Sequence, residues 1–263
     1  MVLACSSRFA LWFGLLPVLA CGTSYATEQA SACDSSRLAT AIARLGDVYL
    51  GELHGTNEVP LLVEQVVRLR LSEYDERPVI VSLELPARAL DTRSGFWRGR
   101  DGRASEAMAR LVRLLAGLEQ AHPGEVRLHF QQSPPAEGAA PFDGSERGTG
   151  LRLAALADEG VLIALGGNHH SRKANLDGMS GESAGMVAGD NVLGVAVMPA
   201  RGGTGWMCFG ADDCGPKQIP AFPKSRQEKA RDCLFNGQSV AHDHLALLEQ
   251  FSASPPEQDE VAE

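Results

Sequence analysis

Between residues 48 and 60 the chain reads VYLGELHGTNEVP, and Glu52, His54 and Glu58 fall within seven positions directly after an apolar run. A buried strand has no use for a carboxylate and an imidazole at its end, so these residue types at this spacing point to chemistry. A glutamate beside a histidine orients the ring or shares its proton, which makes a general acid–base group near neutral pH. The same donors suit zinc or manganese. The turn HGTNE opens a helix, whose free N–H groups can hold an anion or a developing oxyanion. The pattern recurs further along. Glu84 closes VSLE, Gln131 and Gln132 follow a third apolar run, and Asn168, His169 and His170 follow VLIALGG.

The elements that must position these residues follow from periodicity. Strands are predicted at DVYLGE, PVIVSLEL, EVRLHFQ, VLIALGG and NVLGVAVMP; the first four are continuous apolar runs typical of strands buried on both faces. Helices are predicted from Glu58 to Leu71, with Pro60 tolerated in the first turn, and from Ser105 to Gln120, with Ser105 as N-cap. A third, GLRLAALADEG, is stopped by Gly160. This alternation predicts an α/β three-layer sandwich with a mainly parallel central sheet flanked by helices. The Pro/Gly-rich segment 131–150 reads as a surface loop or lid. Parallel strands joined by right-handed crossovers point their carboxyl ends to one edge, where open α/β sheets bind ligands. Four successive strands hand off to polar residues at that edge, which predicts a site there, with Glu52 and Glu84 on neighbouring strands.

The segments LGELHGTNE, VSLELP and GGNHHSRK resemble the superfamily that joins erythromycin esterase-type proteins, ChaN haem-binding lipoproteins and Tiki/TraB metalloprotease-like proteins. Glu52, His54 and Glu84 match its first two motifs, and Gly167, Asn168 and His170 its third, leaving His169 at the variable position. DGRASEAM, with Asp101 and Arg103, and SASPP near the C-terminus are similar to elements of exported members. The expected function is a hydrolase-like enzyme in which Glu52 and His54 activate water. Glu84 orients the imidazole or binds metal, and His170 completes the site. Asn168, His169, Arg103, Asp101 and Glu58 are the candidate substrate-binding residues. If the reaction is metal-dependent, Glu52, His54, Glu84 and His170 are the expected ligands. The competing expectation, implied by the ChaN-like pattern and by export, is a haem or iron uptake protein with His169 or His170 as axial ligand.

Export is read from the N-terminus. Arg8 precedes the apolar run FALWFGLLPVLA, and SYA ending at Ala26 suits signal-peptidase cleavage, so residues 1–26 are expected to be a signal peptide and the protein periplasmic or secreted. VLAC ending at Cys21 also resembles a lipoprotein cleavage site. No later stretch approaches the length of a transmembrane helix. Residues 27–252 are expected to form one domain, and 253–263 an acidic, disordered tail. Four cysteines remain after cleavage. The short loop CFGADDC favours Cys208–Cys214, leaving Cys33–Cys233 to clamp the two ends, with zinc binding the competing use. With 24 basic against 33 acidic residues, a net charge of −9 and no basic stripe, nucleic acid is not an expected partner; a small molecule or haem is.

GESAG, residues 181–185, matches a nucleophile elbow, but KANLDGMS before Ser183 is no strand and only one clear strand follows, so Ser183 is expected to start a short helix. His242 and His244 of HDH are expected to be a solvated pair, and His122 and His129 surface or packing residues. The loop around Asp212 and Asp213 is expected to be solvated, with weak calcium binding the alternative.

Overall fold

The computed structural model describes residues 34–73, 76–132, 145–178, 180–210, 213–223 and 233–258. Helix α1 (Ser35–Ala43) is capped by Asp34, whose side chain accepts from Arg37 N, and leads into β1 (Val48–Glu52). Then follow α2 (Glu58–Ser72), β2 (Val79–Leu83), α3 (Glu106–Ala121), β3 (Val126–Phe130), α4 (Glu146–Glu159) and β4 (Val161–Gly167). After two one-turn helices, α5 (Asn168–Ser171) and α6 (Ala184–Val187), come β5 (Leu193–Pro199), β6 (Gly203–Cys208), β7 (Cys214–Ile219), β8 (Leu234–Asn236) and β9 (His244–Leu248). Seven strands form one sheet in the order β3-β2-β4-β1-β5-β9-β8; only β8 runs antiparallel to its neighbour, and β6 with β7 makes a separate hairpin.

The sheet carries helices on both faces, as the continuous apolar strands require. Leu50, Val81, Leu83, Ile163 and Val195 pack with Leu38 and Ile42 of α1, Leu62, Val63 and Val66 of α2, and Leu111 and Leu115 of α3. On the opposite face, Tyr49, Ile80, Leu162 and Ala164 meet Leu153 and Leu156 of α4 and Ala184 of α6. Burying a side chain of this kind contributes about 1.5–3 kcal/mol relative to leaving it exposed, so the two cores fix the sheet from both sides.

Several expectations need correction. Glu52 and Glu84 do not sit on neighbouring strands, because β4 lies between β1 and β2. The register nevertheless pairs Glu52 with Gly167, so the ends of β1 and β4 share one edge, as the site requires. More strands follow Ser183 than expected: five are described, two of them in the separate hairpin. Residues 146–150 belong to α4, which starts four residues earlier than periodicity suggested, with Ser145 as N-cap accepting from Gly148 N at 3.0 Å. The chain is also ordered past residue 252. Ala253 bridges Thr56, Ser254 N donates to Gly55 O at 2.8 Å, Pro256 bridges Ser105, and Glu257 pairs with Arg113 at 2.6 Å. An acidic, proline-bearing composition does not prevent backbone pairing when the partner is an otherwise open helix N-terminus.

Cys208 and Cys214 form the expected disulfide across the β6–β7 hairpin. Cys233 is also disulfide-bonded, but its expected partner Cys33 lies outside the described residues, as do the expected signal peptide at residues 1–26, Asp212 and residues 259–263 of the expected tail. No described helix is long and apolar enough to cross a membrane.

Candidate active site

Glu52 ends β1, and the chain turns sharply after it. Gly55 takes φ +76° where a Cβ would stand 2.2 Å from the Trp206 carbonyl oxygen, so the β6–β7 hairpin can lie directly on the turn. The turn returns the ring of His54 beneath Glu52, with Nδ1 2.9 Å from Oε1. A carboxylate there accepts the Nδ1 proton, which leaves Nε2 as the free nitrogen. Glu84 reaches in from the end of β2, its Oε2 fixed by the Gly167 N–H at 2.8 Å. That carboxylate faces His54 Nε2 at 4.0 Å, His170 Nε2 at 3.5 Å and Arg103 at 3.8 Å. Gly167 leaves room for the group, since a Cβ there would come within 3.2 Å of His54 Nε2 and 3.4 Å of His170 Cδ2.

His170 belongs to α5, and its Nδ1 is hydrogen-bonded to Glu146 Oε1. The second oxygen of Glu146 accepts from Ala184 N at 2.7 Å. Two imidazoles are thus backed at Nδ1 by separate carboxylates while both Nε2 atoms face Glu84. The side chains of Glu52, Glu84, His54 and His170 are 3%, 14%, 25% and 36% exposed. A solute can therefore reach both rings, while the carboxylate behind His54 is shielded from water. Burial disfavours the imidazolium of His54, but the hydrogen bond and charge of Glu52 and the charge of Glu84 outweigh it, and its pKa lies above the usual value. Beneath Glu84 the Tyr49 hydroxyl donates to Gln131 Oε1 at 3.4 Å; burial first, then the charges of Glu84 and Glu146, push its pKa well up, so it stays neutral.

The remaining candidates divide. Arg103 is at the site, but its Nε already donates to Asp101 Oδ2 at 2.8 Å. Asn168 flanks the site, its Oδ1 buried without a partner and its amide 3.6 Å from Met198 Sδ. His169 is exposed, edge-on to His170. Glu58 is not brought to the cluster; it accepts from Ser252 N at 2.9 Å and from the Ser252 hydroxyl. The expected anion cradle in HGTNE is closed in part by the same segment, because Asn57 N donates to Ser252 O at 3.0 Å.

The four expected metal ligands do not make a metal site as arranged. Glu52 lies behind the His54 ring rather than beside its free nitrogen, and among the described residues no group of three or more His, Cys, Asp or Glu side chains is placed to hold a metal ion. Haem fits His170 poorly, since its Nε2 faces Glu84, a carboxylate shared with Arg103, rather than an apolar surface.

Of the residues set aside, Ser183 caps α6, accepting from Met186 N, and is fully buried. His129 packs against Ser82 Oγ at 2.9 Å, with burial and two arginines, Arg152 and Arg127, lowering its pKa to about 4. His242 is not solvated. It is buried, with Nδ1 on Val240 O and Nε2 2.9 Å from Ser171 Oγ, an anchor that holds α5 in place. Glu146 is the site residue that sequence reasoning missed. The available signal was Ser145-Glu146, a capping serine followed by an acid in the first helical turn, hidden at the end of a segment read as loop.

Neither a family model nor a curated protein matches the chain. Among solved structures it is similar to a crystal structure of a protein from Bacillus cereus, with 13% sequence identity and a TM-score of 0.50 over 81% of this chain and 90% of that one. The likeness is one of fold.

Proposed function

We propose that this protein is an exported hydrolase-like enzyme that cleaves an ester or amide bond in a small or medium polar substrate. The observation that carries the reading is the convergence of two carboxylate-backed imidazoles on Glu84 at the carboxyl edge of the sheet. With Nδ1–H given to Glu52, His54 Nε2 is free to take a proton from water, and the carboxylate stabilises the imidazolium that forms. Glu84 keeps both Nε2 atoms in register. Arg103, steadied by Asp101, fixes the substrate at the rim. The Cys208–Cys214 disulfide supports an oxidising compartment, in keeping with a periplasmic or secreted enzyme.

The test is a screen of purified protein against ester and amide panels, with and without divalent metals. Turnover is expected to fall about 10²- to 10⁴-fold in His54→Ala and in Glu52→Gln. Full activity in both variants would exclude the mechanism.

A further inference from the structure

We propose that Glu146 is the positioning residue of a second acid–base imidazole, so that His54 takes a proton and His170 gives one. The inference rests on the hydrolytic reading of the site and assigns the half of the proton traffic that Glu52 and His54 leave open.

Glu146 uses both carboxylate oxygens. One accepts from the backbone N–H of Ala184 at 2.7 Å, and the other is bonded to His170 Nδ1. Since a carboxylate only accepts, Nδ1 must be the donor, and Nε2 is left as the nitrogen that exchanges protons with the cleft. That Nε2 lies 3.5 Å from Glu84 Oε1, on the carboxylate that His54 faces through Oε2 at 4.0 Å. The two rings therefore flank one position. In hydrolysis of an ester, the water oxygen bonds to the carbonyl carbon as its proton passes to His54 Nε2. The bond from that carbon to the leaving oxygen then breaks, and the imidazolium of His170, across the cleft, gives its Nε2 proton to that oxygen. Water has been added across the bond, and one proton returning from His54 to His170 by way of Glu84 or solvent resets the pair.

A purely structural role for Glu146, as the acceptor for the first N–H of α6, predicts something different from a positioning role, and Glu146→Gln separates them. Glutamine keeps one oxygen, which the fixed Ala184 N–H retains. Its NH₂ then faces His170 Nδ1 and forces that nitrogen to accept, moving the proton of the neutral ring to Nε2. Nitrogen-15 shifts of the labelled imidazoles, assigned through His170→Gln, read this without substrate. The expected result is an Nδ1–H tautomer in the wild type and an Nε2–H tautomer in Glu146→Gln, at an unchanged melting temperature. With a turned-over ester, kcat should fall about 10²-fold or more with KM little changed, and Glu146→Asp should recover part of the loss. A His170 tautomer that does not respond to Glu146→Gln, or an unaltered kcat, would overturn the assignment. Failure of the wild-type protein to hydrolyse any ester or amide would instead overturn the hydrolytic reading, since the tautomer is measured independently.

Discussion

The two carboxylate–imidazole pairs of the site are alike in chemistry and opposite in construction. Glu52 and His54 are two residues apart at the end of one strand, and the carboxylate is almost wholly buried. Glu146 and His170 are 24 residues apart, join the N-terminus of α4 to α5, and are each about one-third exposed. The first pair inherits its geometry from the central sheet. The second depends on how short surface elements pack, with the Ser171–His242 contact and the Ala184 N–H holding its two sides. A charge pair in half-solvated surroundings is weakened by water and salt, whereas the buried carboxylate acts on its ring with little screening. The same carboxylate–imidazole unit is thus built once by local sequence and once by tertiary packing, and only the second relies on short elements to hold its geometry.

That contrast can be broken in order of expected effect. Removing the local imidazole in His54→Ala should cost about 10²- to 10⁴-fold in kcat/KM, and steady-state kinetics on any substrate found will show it. Next is Gly167→Ala, which presses a methyl group against both rings, 3.2 Å from His54 Nε2 and 3.4 Å from His170 Cδ2, while leaving both carboxylate–imidazole hydrogen bonds chemically intact. Displacing reacting groups by an ångström can cost about 10²-fold, so a comparable loss of turnover at normal thermal stability is expected. A Gly167→Ala enzyme with full activity would show that the space between the rings is not where the reaction occurs. The smallest effect belongs to the C-terminal segment that braces the turn behind His54. Ser254 Oγ accepts from Ala107 N at 2.9 Å in the first turn of α3, and Ser254→Ala should lower stability by about 1 kcal/mol in urea unfolding, as for a lost helix cap.

The same contrast explains what was legible in the sequence. Strands β1 to β5 and helices α2 and α3 announced themselves through continuous apolar runs, helical periodicity and the Ser105 cap. The alignment of Glu52, Glu84 and Asn168 at one edge followed from parallel topology alone. The order of the strands did not, because periodicity carries no information on which crossover places β4 between β1 and β2. The hairpin β6–β7 was missed because GTGWMC and CGPKQI contain Gly and Pro and mix buried with half-buried positions. Residues 253–258 looked like a tail because backbone bridges to Thr56 and Ser105 leave no trace in composition. Glu146 was hidden for the same reason: its partners, His170 and Ala184, are set by tertiary packing rather than by spacing.

The most direct test is the pH dependence of kcat/KM, measured beside the NMR titration of His54 in the same buffers. Glu52 and Glu84 hold the His54 imidazolium to a higher pH than an isolated ring, so the base form accumulates only above the ordinary histidine midpoint of about 6.5. The account predicts a rising limb in the rate profile with a midpoint above that value, coincident with the titration of His54. A rate that stays level while His54 titrates would contradict it.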